Sequence, residues 1–198
     1  MKILAIADTH GDSSLVKKIG EMADKEKVDL IIHAGDLTWF DREDEGILSP
    51  LIKNGREVLM IHGNHDSLAT IKNLTTVYPA SKNLHEIGLE RNEIGFFGSG
   101  TTDWGFKEES EIVFKELTRG HKRIQHLKKK IMVSHSPPVG SAIELLGFPG
   151  SYGVRKAIDK FKPDFMICGH IHEGGGIIEE IGNTKVMNVA RSPIIFEI

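Results

Sequence analysis

The chain has 198 residues, of which 39% are hydrophobic and 27% charged, and its formal net charge is -3. This length suits one well-buried core over residues 1–198 and is short for two full domains, while the composition excludes disordered, collagen-like and low-complexity chains. The slightly acidic balance also excludes the general basicity of a protein that coats nucleic acid.

The first third of the chain alternates between patterns typical of strands and of helices. Residues 2–7 form a short apolar run that predicts a buried strand, and residues 13–26 place apolar side chains on one helical face. A second strand is expected over residues 28–33, a helix over residues 43–53 and a third strand over residues 57–61. This alternation indicates an α/β fold, in which ligands bind beyond the carboxyl ends of the strands.

The remainder of the chain continues this pattern without a repeat or a linker. Two short strands are expected within residues 84–98, a long helix over residues 108–130, and further strands over residues 131–133 and 164–168. The C-terminal segment predicts antiparallel strands with a turn near residues 182–183.

Polar residues next to a glycine or proline follow five of these strands. They are Asp8 and His10, Asp36, Asn64 and His65, His135, and His170 and His172. In an extended segment residues i and i+2 point the same way, so Asp8 with His10, and His170 with His172, are each expected to face a common point. The adjacent Asn64 and His65 are expected to point apart, so that only one of them contacts the same ion.

These side chains combine imidazole, carboxylate and one amide oxygen. Such a set suits Mn²⁺, with iron, cobalt, nickel or zinc as further candidates, and is too rich in nitrogen for a Ca²⁺ or Mg²⁺ cage. Seven ligands are too many for one tetrahedral ion, but two ions that share Asp36 receive four contacts each. Two divalent ions against two carboxylates leave a positive surplus, which favours a phosphate ester as substrate.

The single cysteine, Cys168, excludes an intrachain disulfide and a zinc site built on CxxC pairs. The apolar stretch over residues 3–7 is too short for a signal peptide or a membrane span. We therefore expect a cytoplasmic protein without a membrane segment.

The ordered motifs resemble those of the calcineurin-like metallophosphoesterase superfamily. They are DxH (8–10), GD (35–36), GNHD (63–66), SH (134–135) and GHxH (169–172). The resemblance implies a four-layer α-β-β-α sandwich with two mixed β-sheets. It also implies that one metal ion is held by Asp8, His10, Asp36 and His172 and a second by Asp36, Asn64, His135 and His170. By the same resemblance His65 acts near the leaving group, and Asp66 orients the ring of His65.

The expected activity is hydrolysis of phosphate esters by attack of a metal-bridging hydroxide. Residues 135–138 and 169–173 resemble the small phosphodiesterase-like branch of the superfamily, so a phosphodiester, as a small ester or a nucleotide, is the favoured substrate. A phosphomonoesterase, a nuclease and a regulatory module that retains its metals stay open as alternatives, as does a homodimer. A nucleic-acid partner is not favoured, because the basic stretch 121–130 is interpreted as an exposed helix end.

Aromatic residues lie in loops close to these motifs, namely Trp39, Phe40, Phe148 and Tyr152. They could stack on a base or an aryl group of a substrate. Ordinary loop packing is the favoured interpretation.

Overall fold

The computed structural model describes residues 1–42 and 46–198 and contains two β-sheets. The strands are β1 (Lys2–Ile6), β2 (Leu30–Ala34), β3 (Glu57–Ile61), β4 (Ser81–Asn83), β5 (Gly88–Arg91), β6 (Ile94–Ser99), β7 (Lys129–Ser134), β8 (Phe165–Cys168), β9 (Ile178–Ile181), β10 (Thr184–Asn188) and β11 (Ile194–Glu197). The α-helices are α1 (Ser13–Lys25), α2 (Leu68–Val77), α3 (Lys107–Ile124) and α4 (Tyr152–Phe161).

Both sheets combine parallel and antiparallel pairs. The first has the order β11-β1-β2-β3-β4, in which only β11 is antiparallel to its neighbour. The second has the order β5-β6-β7-β8-β10-β9, in which the edge strands β5 and β9 are antiparallel. The expected fold of two mixed sheets is therefore confirmed.

Alternation along the strands creates four layers. Ile3 and Ala5 of β1 belong to the core between the sheets, whereas Leu4 and Ile6 belong to the core under α1 and α2. Phe96 and Phe97 of β6 divide in the same way, because Phe96 lies between the sheets and Phe97 packs under α3 and α4. Since the central strands β1, β2, β3 and β8 bury both of their faces, they appear in the sequence as short apolar runs.

The helices α2 and α4 were not predicted from the sequence, although a serine that signals a helix start directly precedes each of them. The Ser67 hydroxyl accepts a hydrogen bond from the Thr70 amide at the start of α2, and Ser151 accepts from the Val154 amide at the start of α4. Within the described residues, no helix is both long enough and apolar enough to cross a membrane.

The helix expected over residues 43–53 is wrong for the described part of that range. Residues 43–45 lie outside the described residues, residues 46–52 form turns, and Lys53–Gly55 is a single 3-10 turn. Gly46 has a φ of 81°, and Pro50 offers no amide hydrogen for a helical ladder. The apolar side chains of residues 46–52 pack beneath the first sheet, although their backbone is not helical.

The long helix expected over residues 108–130 also ends earlier than expected, at Ile124.

The C-terminal strands connect the two sheets. β9 and β10 form the expected antiparallel pair, but β10 also lies parallel to β8, and β11 returns to the first sheet beside β1. The Ala7 amide donates to the Val189 carbonyl at 3.2 Å and the Arg191 amide donates to the Ala7 carbonyl at 3.0 Å. These bonds hold the carboxyl ends of β1 and β10 together, and with them the ends of the two sheets.

Candidate metal centre

The predicted ligands meet where the carboxyl ends of parallel strands from both sheets come together. The Asp8 amide donates to the Gly35 carbonyl at 3.0 Å, which connects the ends of β1 and β2. The Gly169 amide donates to the His135 carbonyl at 3.0 Å, which connects the ends of β8 and β7. Ligands from five strands therefore share one place, as the position of binding sites in α/β folds predicts.

The backbone at this place is not extended, contrary to the i and i+2 expectation. Four of the predicted ligands have a left-handed backbone: Asp8 (φ 59°), His10 (φ 47°), Asp36 (φ 55°) and His170 (φ 70°). Non-glycine residues rarely adopt this conformation, and it concentrates at functional sites where the surrounding fold enforces it. The chain turns sharply after β1, β2 and β8, so side-chain directions there follow from the turns and not from pleating. Asp8 and His10 nevertheless face a common point, as expected.

The first cluster contains Asp8, His10 and His172. The Nε2 atoms of His10 and His172 lie 3.2 Å apart, and Asp8 Oδ1 lies 3.4 Å from His172 Nε2 and 3.9 Å from His10 Nε2. Asp8 Oδ1 is fully buried without a hydrogen-bond partner among the described residues, whereas Asp8 Oδ2 accepts the His170 amide. A buried, unpartnered carboxylate oxygen that faces two imidazole nitrogens fits a bound cation.

Asp36 lies at the middle of the centre. Its Oδ1 accepts the His65 amide at 2.8 Å, while its Oδ2 lies 3.5 Å from His135 Nε2, 3.8 Å from His10 Nε2 and 4.0 Å from His65 Nε2. Burial raises the pKa of Asp36, but the His135 hydrogen bond and charge outweigh burial and lower the pKa to about 2. The carboxylate is thus ionised, and its Oδ2 lies among the nitrogens of three imidazole rings. This position fits a ligand shared by two metal ions.

His135 and Asn64 form the other side of the centre. The fully buried His135 ring donates from Nδ1 to the Ala34 carbonyl at 2.9 Å, so Nε2 faces Asn64 Oδ1 at 3.1 Å and the Asp36 carboxylate. Burial lowers the pKa of His135, but the hydrogen bond with Asp36 outweighs it and raises the pKa to about 9. A nitrogen and two oxygens that all accept hydrogen bonds require a proton or a metal ion between them, so these residues also fit a metal.

His170 and His172 face different parts of the centre. His172 lies with Asp8 and His10, whereas the His170 ring lies 5.1 Å from the His135 ring and 4.7 Å from the Trp104 ring. Burial lowers the pKa of His170 to about 4, which leaves a neutral imidazole with a free lone pair. The expectation that His170 and His172 share a point is therefore wrong, because the left-handed turn at His170 separates their directions.

His65 is held at the open edge, but not by Asp66. The His65 ring stacks on Trp39 at 4.6 Å and 24° and meets the His10 ring edge-on at 4.6 Å. Both Asp66 oxygens instead accept backbone amides, Oδ2 from Leu37 at 2.9 Å and Oδ1 from Thr38 at 2.7 Å. The expectation that Asp66 orients the His65 ring is wrong, because the turn after β3 directs this carboxylate to the loop after β2.

The structure adds two residues that the sequence did not single out as site residues. Trp104 follows β6 and contacts His170, and Arg191 follows β10. Arg191 Nη1 donates to the Asp8 carbonyl at 3.5 Å, and Nη2 lies 3.4 Å from Asp12 Oδ2. Both residues follow parallel strands, so applying the strand-end rule to every strand would have included them.

Comparisons with known proteins identify the family and the fold of the chain. A family model described as calcineurin-like phosphoesterase matches residues 1–174. The UPF0046 protein K07C11.7 of Caenorhabditis elegans is 25% identical over 218 residues, which cover 96% of this chain and 70% of that protein. The crystal structure of TT1561 of Thermus thermophilus is similar with a TM-score of 0.78 at 20% identity, over 96% of this chain and 90% of that one. A novel archaeal phosphodiesterase gives a TM-score of 0.55 at 18% identity, over 96% and 84% of the two chains. Because the family model covers most of its length, the chain belongs to the calcineurin-like phosphoesterases, a family of metal-dependent hydrolases of phosphoesters.

Proposed function

We propose that this protein is a dinuclear metallohydrolase that cleaves phosphodiesters. The observation that carries the proposal is the position of Asp36 Oδ2 among three imidazole nitrogens, beside the unpartnered Asp8 Oδ1. One ion is assigned to Asp8, His10, Asp36 and His172 and a second to Asp36, Asn64, His135 and His170, with Mn²⁺ as the favoured metal. Such ions supply a nucleophile at neutral pH and neutralise charge on phosphoryl oxygens.

The residues of the chain divide the remaining tasks. The Ala34 carbonyl fixes the tautomer of His135, so that its Nε2 is available as a ligand. The amide of His65 donates a hydrogen bond to Asp36 Oδ1, so Oδ2 would be the oxygen that is available to metal ions. The His65 ring is wedged between Trp39 and His10, next to Asp36 but outside its hydrogen-bond distance. From there it can donate a proton to the departing oxygen.

A diester is favoured over a monoester by charge. Among the residues described (1–42 and 46–198), Arg191 is the cationic side chain that contacts the metal centre. Its guanidinium group already donates hydrogen bonds to the Asp8 carbonyl and to Asp12. Beside the two ions, a monoester with about two negative charges at neutral pH would need more cationic side chains than a diester with one, so a single partly shared arginine suits the diester better.

The catalytic unit is proposed to be one domain over residues 1–198, since strands of both sheets supply ligands and a common core. A cytoplasmic location stays a prediction. The state of Cys168, which is buried and free, is compatible with it.

The test uses Mn²⁺-loaded protein with bis(4-nitrophenyl) phosphate and 4-nitrophenyl phosphate as substrates. We expect faster turnover of the diester and two Mn²⁺ ions per chain by elemental analysis. Asp36→Asn keeps an acceptor for the His65 amide but removes the bridging charge, so it should reduce activity at least a hundred-fold and lower the metal content. Asp159→Asn, at an exposed ion pair with Arg155, is the matched control and should change neither.

Retention of full activity by a folded Asp36→Asn protein would overturn the proposal. His65→Asn tests whether His65 is a proton donor or a metal ligand. As a proton donor, its replacement should leave both ions bound and lower kcat by about a hundred-fold or more. A loss of metal in this variant would instead identify His65 as a ligand.

A further inference from the structure

Both tryptophans of the chain lie at the metal centre and are half exposed. Trp39 is 48% exposed and Trp104 is 49% exposed. An exposed indole next to a cluster of polar ligands leaves a large apolar face in water. The position of both rings, and not of one alone, therefore requires an explanation beyond loop packing.

The two rings contact different histidines of the centre. Trp39 stacks on His65 with centroids 4.6 Å apart and meets His10 edge-on at 5.2 Å. Trp104 meets His170 edge-on at 4.7 Å. Because His10 and His170 are assigned to different ions, each indole contacts a proposed ligand of a different ion.

A buried carboxylate holds the backbone next to each tryptophan. Thr38, the residue before Trp39, donates its amide and its hydroxyl to Asp66, which is 5% exposed. Asp103, the residue before Trp104, is 1% exposed and accepts the hydroxyl groups of Ser110 and Ser151. Two separate anchors hold the backbone just before each tryptophan, so both loops are positioned in advance of binding.

We propose that Trp39 and Trp104 form a binding site for planar aromatic groups of the substrate. The substrate class is then a phosphodiester with a nucleobase or an aryl ring on at least one of its two arms. This inference rests on the proposed function, because it assigns the arms of the ester cleaved at the same centre. Stacking of one base on one aromatic side chain strengthens binding by about ten-fold or more.

The binding test uses Zn²⁺-loaded protein, since Zn²⁺ has no unpaired electrons that would quench fluorescence. Thymidine 5′-monophosphate, phenyl phosphate and ethyl phosphate share a phosphate group and differ in the attached group, which contains an aromatic ring in the first two only. We expect the two aromatic phosphates to quench or shift tryptophan emission and to bind at least ten-fold more tightly than ethyl phosphate. Trp39→Phe and Trp104→Phe each leave one indole and therefore report which ring the ligand contacts. Preference for thymidine 5′-monophosphate identifies a nucleoside arm, and preference for phenyl phosphate an aryl arm.

The alanine variants test specificity. Trp39→Ala and Trp104→Ala should each reduce the preference for aromatic over ethyl phosphate, taken as the ratio of the two affinities in the same variant, by about ten-fold. Ile178→Ala, at an equally exposed apolar side chain on β9, is the control and should leave the preference unchanged.

The outcomes separate this inference from the proposed function. Equal affinity for all three phosphates, with no change in emission, overturns the aromatic site and leaves the phosphoesterase proposal standing. Failure to bind any of them contradicts both. A change of oligomeric state in the alanine variants, with ligand preference unchanged, would show that the rings form an interface between copies and would also overturn the inference.

Discussion

Replacement of His33 by glutamine should remove part of the acid sensitivity of the fold. His33 is fully buried on β2, where its Nε2 lies 3.1 Å from the Thr9 hydroxyl. Because that hydroxyl donates to the Leu37 carbonyl, the ring must donate from Nε2, and Nδ1 is left buried without a partner among the described residues. Protonation would therefore place a charge on Nδ1 with nothing to accept its hydrogen.

The magnitude follows from linkage. Burial lowers the pKa of His33 from 6.5 to about 4 in the folded protein. Between these values the unfolded chain binds the proton and the folded chain does not, so the free energy of unfolding falls as the pH falls from 6.5 towards 4. A difference of this size corresponds to about 3 kcal/mol when the whole window is crossed.

The assay is urea unfolding of metal-free protein at several pH values between 7 and 4.5. The wild type should lose about 2 kcal/mol more than His33→Gln over this range, and other histidines cancel in the difference between the two proteins. His126→Gln is the control, because the His126 side chain is 63% exposed. Parallel pH profiles for wild type and His33→Gln would refute the reasoning.

Three further outcomes are expected. Phe96→Ala, which empties a fully buried position between the sheets, should lower the free energy of unfolding by about 3 to 5 kcal/mol in urea titrations. Gly63→Ala should reduce the Mn²⁺ content, because an added Cβ would overlap Asp36 Oδ1 and lie 2.7 Å from His135 Cε1, whereas Gly182→Ala adds a Cβ in open space and should retain the metal. Removal of metal by a chelator should lower Tm, and saturation to a hundred times the dissociation constant should restore about 2.7 kcal/mol of stability for each ion bound; an unchanged Tm would contradict metal binding by the folded state.

The central strands could be predicted closely from the sequence. The expected strand over residues 57–61 matches β3, and the expected strand over 164–168 matches β8 to within one residue. Continuous apolar runs that stop at polar residues are a local signal, so no knowledge of the partner strands is needed. The helix expected over residues 43–53 was wrong over residues 46–52 because the backbone there does not follow the apolar pattern. Its apolar residues are buried as expected, but Gly46 and Pro50 decide its backbone and periodicity does not.

The sequence by itself determined which residue types gather at the strand ends, because ligand identity and order are properties of the chain. The directions in which these side chains point were decided only by the tertiary structure. His170 and His172 separate because His170 adopts a left-handed backbone, and Asp66 holds the loop before Trp39 because the ends of β2 and β3 lie side by side. Trp104 and Arg191 join the centre for the same physical reason, since β6 and β10 end there only once the second sheet packs against the first.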